Sequence, residues 1–194
     1  VLDRLRASGG AGPDHGFSIR AEVLKRLYDA LLLEAGADFL LQTQAIGVRA
    51  NEGRVTEVVC AAKSGVFAIR AQRYIDATGD GDLAAWAGAP FEKGDATGAM
   101  MAGTLCSLWA GVDWETVRAS GLGAGKSRIE EAIRDGVFTV EDPHLPGMWR
   151  VGKGVGGGNV GHTFGVDSTD ERSLTKALVW GRKSLVEYER YYKE

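Results

Sequence analysis

The stretch YIDATGDGDLAAWAGAP, residues 74–90, decides how the rest of the chain is read. An apolar segment, residues 74–77, runs into the turn Thr78-Gly79-Asp80-Gly81 and then into a helical segment from Asp82 that Gly88 and Pro90 close. Strand, glycine turn and helix is the order in which backbone N–H groups at a helix start collect a phosphate, and open α/β sheets place ligands at the carboxyl ends of their strands. Asp80 and Asp82 bring two negative charges to the same place. Two readings fit those acids. Either one caps the helix, worth about 0.3–1 kcal/mol without any ligand, or one meets a polar group of a ligand. Spacing by itself favours the cap.

Upstream of the turn the hydrophobic period changes. Residues 1–7 read as the end of a helix, stopped by Gly9, Gly10, Gly12 and Pro13. Ser18 precedes a second helix over residues 19–35, where Val23, Leu27, Ala30 and Leu31, with Leu24, Tyr28 and Leu32, recur at three- and four-residue steps until Gly36. Residues 38–42 form a short apolar strand in this reading. Residues 46–50 lead into the polar turn at 51–54, and residues 55–62 and 66–70, rich in β-branched side chains, flank Lys63-Ser64-Gly65 as a hairpin would. The result is a small antiparallel meander, with residues 73–77 as a last short strand.

Downstream, residues 100–110 read as a strand, 114–119 and 128–135 as helices, and 148–151 and 159–166 as strands around a glycine cluster. A long polar and aromatic helix follows over residues 173–192, with Ser173 or Asp170 as N-cap. Two nucleotide-like motifs occur here. SGLGAGKS, residues 120–127, approaches a phosphate loop, but Ser120 replaces the first glycine and WETVRA before it is helical rather than a buried strand. A nucleotide hydrolase acting through Lys126 is therefore a weaker reading than an interhelical loop. GKGVGG, residues 152–157, fits GxGxxG, yet a strand-like NVGHTFGVD follows where a dinucleotide site needs a helix. A glycine-rich hairpin is the better reading.

Composition bounds the rest. The chain has 194 residues, a net charge of −3 and scattered Lys and Arg, a pattern with no electrostatic footprint for nucleic acid or anionic lipid. No apolar run reaches the roughly 18 residues of a membrane span. Cys60 and Cys106 are too few and too far apart for a disulfide framework or a CxxC metal site, which points to reduced thiols and a cytoplasmic location.

The order of helix, strand, meander and strand running into ATGDGDLA resembles the central portion of FAD-dependent oxidoreductases with a glutathione-reductase-like flavin fold. More narrowly, RYIDATGDGDLAAWAGAPFEKG (residues 73–94) with GNVGHTFGVDSTDERSLTKALVWGR (158–182) resembles the FAD-dependent oxidoreductase family that carries IDATGDGDLA and a later GH-x-FGVD segment. The likeness covers the chain from about residue 20 onward. It implies a mixed α/β chain: a partial FAD/NAD(P)-binding-type fold over residues 1–90 with the meander, part of a substrate domain over 91–170, and a helix over 171–194 returning to the first domain.

The resemblance also implies FAD as cofactor and a small-molecule substrate. Ala77, Thr78 and Gly79 would lie against the cofactor through backbone, Asp80 would cap the helix or receive a polar cofactor group, and Gln44, Ala45 and Ile46 would flank the adenine end. The phosphates would be held by a different glycine turn, in a βαβ unit expected upstream of Val1, and a further flavin-binding segment is expected beyond Glu194. The chain then reads as an internal fragment of a flavoenzyme, free to self-associate through apolar surface meant for missing strands. The alternative from another class is a non-catalytic binding or interaction module that keeps the fold without the cofactor.

Among side chains, His162 in NVGHTFGVD is the catalytic candidate, since an imidazole can orient a carboxylate or transfer a proton; a satisfied structural strand histidine is the competing reading. His15 and His144 sit in loops beside prolines. His144 with Asp142 imitates a metal pair, but two side chains do not make a site, and no metal is expected. Arg150 and Lys153 could hold an anionic substrate or simply end a solvated strand. Trp86, Trp109, Trp114, Trp149 and Trp180 read as core or interface residues, and neither cysteine has a neighbouring base or redox partner in sequence.

Overall fold

The computed structural model describes residues 1–12, 19–121, 128–144 and 147–193. The expected cap Ser18, the loop histidine His15 and residues 122–127 of SGLGAGKS lie outside them. The chain is mixed α/β and divides into two compact units, Val1–Glu92 and Lys93–Glu194. Among the described residues no helix is long and apolar enough to cross a membrane.

The first unit holds helices α1 (Leu2–Ala7) and α2 (Ala21–Glu34), strands β1 (Gln44–Asn51), β2 (Arg54–Ala62) and β3 (Gly65–Ile69), and helix α3 (Asp82–Trp86). Leu5 of α1 is fully buried, and Gly10 lets it come close to Val23 of α2, because a Cβ at Gly10 would run into both side chains. Arg4 clamps the far end of α2 by donating to both carboxylate oxygens of Glu34, at 2.6 and 2.7 Å. The three strands form an antiparallel meander in the order β1-β2-β3. Its centre is Val58, opposite Val48 and Ile69, and Cys60, opposite Ala45 and Phe67. Glu57 on β2 is buried and neutralised by Arg49 and Arg70, which approach its two oxygens at 2.7 and 2.5 Å.

Two expected strands of this unit are corrected. Residues 38–42 and 73–77 are not in any sheet, although both are apolar. A strand exists only through a ladder partner, and no strand among the described residues lies opposite either segment. Gln42 also takes φ 54°, which breaks an extended run. The apolar side chains consequently face solvent: Leu41 is 70% exposed and Ile75 90%. Tyr74 alone ties the second segment to the meander, donating its hydroxyl to the Thr56 carbonyl at 2.8 Å and accepting from the Ala71 amide at 2.9 Å.

The second unit comprises β4 (Gly103–Thr104), β5 (Ser107–Ala110), α4 (Trp114–Ala119), α5 (Ile129–Arg134), β6 (Met148–Gly152), β7 (Val155–Gly158), β8 (His162–Thr163) and α6 (Glu171–Lys193). The single strand expected over residues 100–110 is split. Cys106 at φ 53° turns the chain, so that β4 pairs with β8 while β5 joins a separate sheet of order β5-β7-β6. The glycine-rich hairpin is real: Gly154 makes its turn at φ 63°, and the other glycines lie in its strands. Gly156, Gly157 and Gly158 form the centre of β7 between its neighbours, where Met148, Trp114, Trp149 and Trp109 occupy the space that Cβ atoms would need. The strand expected over residues 159–166 shrinks to His162 and Thr163 because Gly161 and Gly165 have positive φ on either side. Helix α6 is capped by Asp170, whose carboxylate accepts from the Ser173 amide at 2.7 Å. Its buried stripe is Ala177, Gly181, Ser184 and Tyr188, and Gly181 lets Leu105 approach the helix backbone.

Candidate functional site

The turn before α3 is built from the inside. Asp76 points inward: its Oδ1 accepts from the Thr78 amide at 3.0 Å and from the Thr78 hydroxyl at 2.7 Å, and its Oδ2 accepts from the Ala84 amide at 2.9 Å. Thr78 Oγ1 in turn accepts from the Asp82 amide at 2.9 Å. These donors, led by the Thr78 hydroxyl, hold the Asp76 carboxyl below the usual carboxylate range. The helix cap is thus supplied by Asp76 and Thr78, not by Asp80 or Asp82. Both acids considered from sequence sit beside a cap that is already satisfied.

With its polar side chains turned in, the turn shows backbone outward. Ala77, Thr78, Gly79 and Asp80 are all exposed. Gly79 at φ 99° and Gly81 at φ 73° need the freedom of glycine, and the space in front of both is open, with nothing within 4 Å of where a Cβ would stand. Helix α3 packs beside β1, so the strand carrying Gln44, Ala45 and Ile46 and the helix entered from the turn are neighbours in one unit. Ile46 is exposed on that strand. A shallow, open depression lies where β1 begins, bordered by Gln42, Thr43, Gln44, Ala61 and Ala62.

A separate constellation occurs in the second unit. β8 places His162 opposite Thr104, and its Nδ1 lies 2.7 Å from Asp142 Oδ2, with side-chain exposures of 20% and 10%. The other Asp142 oxygen accepts from the His144 amide at 3.0 Å, closing a turn. That turn folds the His144 ring flat against His162, with centroids 5.0 Å apart and planes within 7°, while Phe164 meets the other ring edge-on at 5.7 Å. The segment is anchored on α6 by Glu187, which accepts from the Thr139 amide and hydroxyl at 3.1 and 2.5 Å, and by Phe138 packed against Tyr188 and Tyr191. Among the described residues no group of three or more His, Cys, Asp or Glu side chains is arranged to hold a metal ion.

A family model described as FAD dependent oxidoreductase matches residues 1–194. The chain belongs to the FAD dependent oxidoreductase family. Comparison with curated proteins and with solved structures finds no match in either.

For a chain of this family the residues can be weighed against FAD. The exposed backbone of the turn and the exposed apolar side chains of the same unit suit contact with a large planar cofactor. What the described residues do not contain is a glycine turn linking a sheet strand to a helix that could cradle the two phosphates. The fit is therefore to part of the cofactor. In the second unit, sequence reasoning named His162 but set Asp142 and His144 aside as an incomplete metal pair. Their role as neighbours of His162 was hidden because 17 residues separate His144 from His162. The usable signal was the D-x-H turn itself, which fixes an acid and an imidazole on one short loop.

Proposed function

We propose that the chain contributes two working surfaces to a flavin-dependent oxidation or reduction of a small molecule. The first is the turn over residues 77–80, which receives FAD through backbone, with Ala45 and Ile46 of β1 toward the adenine end. The second is His162, which handles a proton of the substrate. FAD, when bound, supplies the electron-accepting ring. The chain's own residues supply placement, and the observation that carries this reading is the inward ring of bonds from Asp76 and Thr78. Those bonds stiffen the turn, engaging the Thr78 amide and leaving open space in front of Gly79.

The test is a visible absorption spectrum of the purified chain after incubation with excess FAD and desalting. Retained flavin absorbance is expected, and Ala77→Leu should reduce it at least tenfold while far-ultraviolet circular dichroism is unchanged, because Ala77 is exposed beside the turn and is not among the positive-φ residues. A wild-type chain that stays colourless would favour the non-catalytic module.

A further inference from the structure

Beyond the named candidate His162, we infer that Asp142 is its positioning residue, and that the pair, steadied by His144, presents Nε2 of His162 as a proton acceptor and donor for substrate. The inference rests on the reading of His162 as the proton-handling group.

Asp142 Oδ2 is buried and has no aligned hydrogen-bond donor, although Nδ1 of His162 is 2.7 Å away. The contact is thus a close electrostatic pairing and not an aligned ring N–H hydrogen bond. A carboxylate oxygen taken out of water without a donor is costly, and an N–H at Nδ1 is the compensation within reach. Keeping the ring proton at Nδ1 leaves the lone pair at Nε2. That atom is neither hydrogen-bonded to a described residue nor among the buried polar atoms lacking a partner, so it faces solvent. The flat stack of His144 and the edge contact of Phe164 remove the ring's freedom to flip. A small cavity beside the pair is lined by Asp142, His162, Ser184, Glu187 and Tyr188. Their polar groups are committed elsewhere: Ser184 donates to the Gly181 carbonyl at 2.8 Å, Glu187 accepts from Thr139, and the Tyr188 hydroxyl oxygen accepts from the Gly161 amide. Neither Ser184 nor Glu187 competes with Asp142 for the imidazole, while the Tyr188 hydroxyl lies within electrostatic reach of Asp142. An acid that fixes tautomer, an imidazole clamped on both sides and an open Nε2 are the parts of a general acid–base.

The test reads the imidazole directly and needs neither FAD nor substrate. The chain contains three histidines, so long-range proton–nitrogen NMR resolves each tautomer, with assignment from His144→Phe and His15→Gln. Wild-type His162 is expected as the Nδ1–H tautomer, and brief treatment with diethyl pyrocarbonate, followed by peptide mass spectrometry, should modify its Nε2 in the folded protein. Asp142→Ala should move the ring toward the Nε2–H tautomer and slow that modification severalfold. Asp142→Leu, which likewise offers no acceptor to Nδ1–H, serves if the alanine variant fails to fold. An Nε2–H tautomer in the wild type, or an Nε2 shielded from the reagent in the native chain, overturns the inference; the second result would mark a merely structural pair. A chain that retains no FAD but passes both tests refutes the cofactor reading and leaves this inference standing.

Discussion

Asp167 gathers more donors than any other carboxylate near the start of α6. Lys93 donates to its Oδ2 at 2.6 Å and to the Thr169 hydroxyl oxygen at 2.6 Å, while the Thr169 amide and hydroxyl donate to Oδ1 at 2.9 and 2.7 Å. The Lys93 ammonium contributes most, and the carboxyl is lowered to about 2. The sign of the linkage follows. An unfolded aspartate titrates near pH ~3.9, so this cluster stabilises the fold fully above that pH and ceases to do so as pH falls toward the folded value. Carbon-detected NMR should place the Asp167 midpoint at about 2, and Lys93→Met should move it up toward the ordinary carboxylate range. An unmoved midpoint would assign the shift to Thr169 alone.

At the scale of elements, helix α6 depends on having almost no side chain where it is most closely approached. A Cβ at Gly181 would sit 3.2 Å from the Cβ of Leu105, tighter than relaxed packing allows. Gly181→Val is expected to destabilise the unit by about 1–3 kcal/mol through overpacking, measured as a lowered urea midpoint with an unchanged slope. A neutral or raised midpoint would show that the residue 105 segment moves aside freely. The elements also show what could be read in advance. α2 was legible because three- and four-residue spacing is a local property, and α6 because its polar and aromatic run follows a local cap residue. Residues 38–42 and 73–77 misled because apolar character names a candidate strand without naming its partner. The glycines of β7 misled in the opposite direction: glycine is ordinarily a turn residue, but pairing with β5 and β6 makes this run a strand, and the Trp and Met side chains over it leave room only for glycine. The glycine turn leading into a helix was legible in the sequence, whereas its cap was assigned to the wrong acids because Asp76 reaches eight residues forward to Ala84.

For the molecule as a whole, each unit carries its own buried residues: Leu5, Leu27, Val58 and Cys60 in the first, and Ile129, Ala132, Val160, Val166, Ala177 and Tyr188 in the second. The second unit ends in an aromatic cluster in which Tyr188 and Tyr192 have hydroxyls pushed upward, chiefly by burial. An unfolded tyrosine ionises near pH ~10, so unfolding releases these protons more readily than the fold does, and stability must decline as pH rises beyond that point. Alkaline titration is expected to expose both phenols in one cooperative step coincident with loss of α6 helicity. Gradual ionisation with the helix intact would show instead that the cluster is open to hydroxide.

The division between the units has an optical consequence. Four tryptophans lie after Lys93, and the remaining one, Trp86, closes the short helix entered from the ATG turn. Replacing the four by phenylalanine would leave a chain whose indole emission comes from the helix after the ATG turn alone. A flavin bound at the turn as proposed would accept that emission by resonance energy transfer, and Trp86 would then serve as a fluorescent reporter of its occupancy.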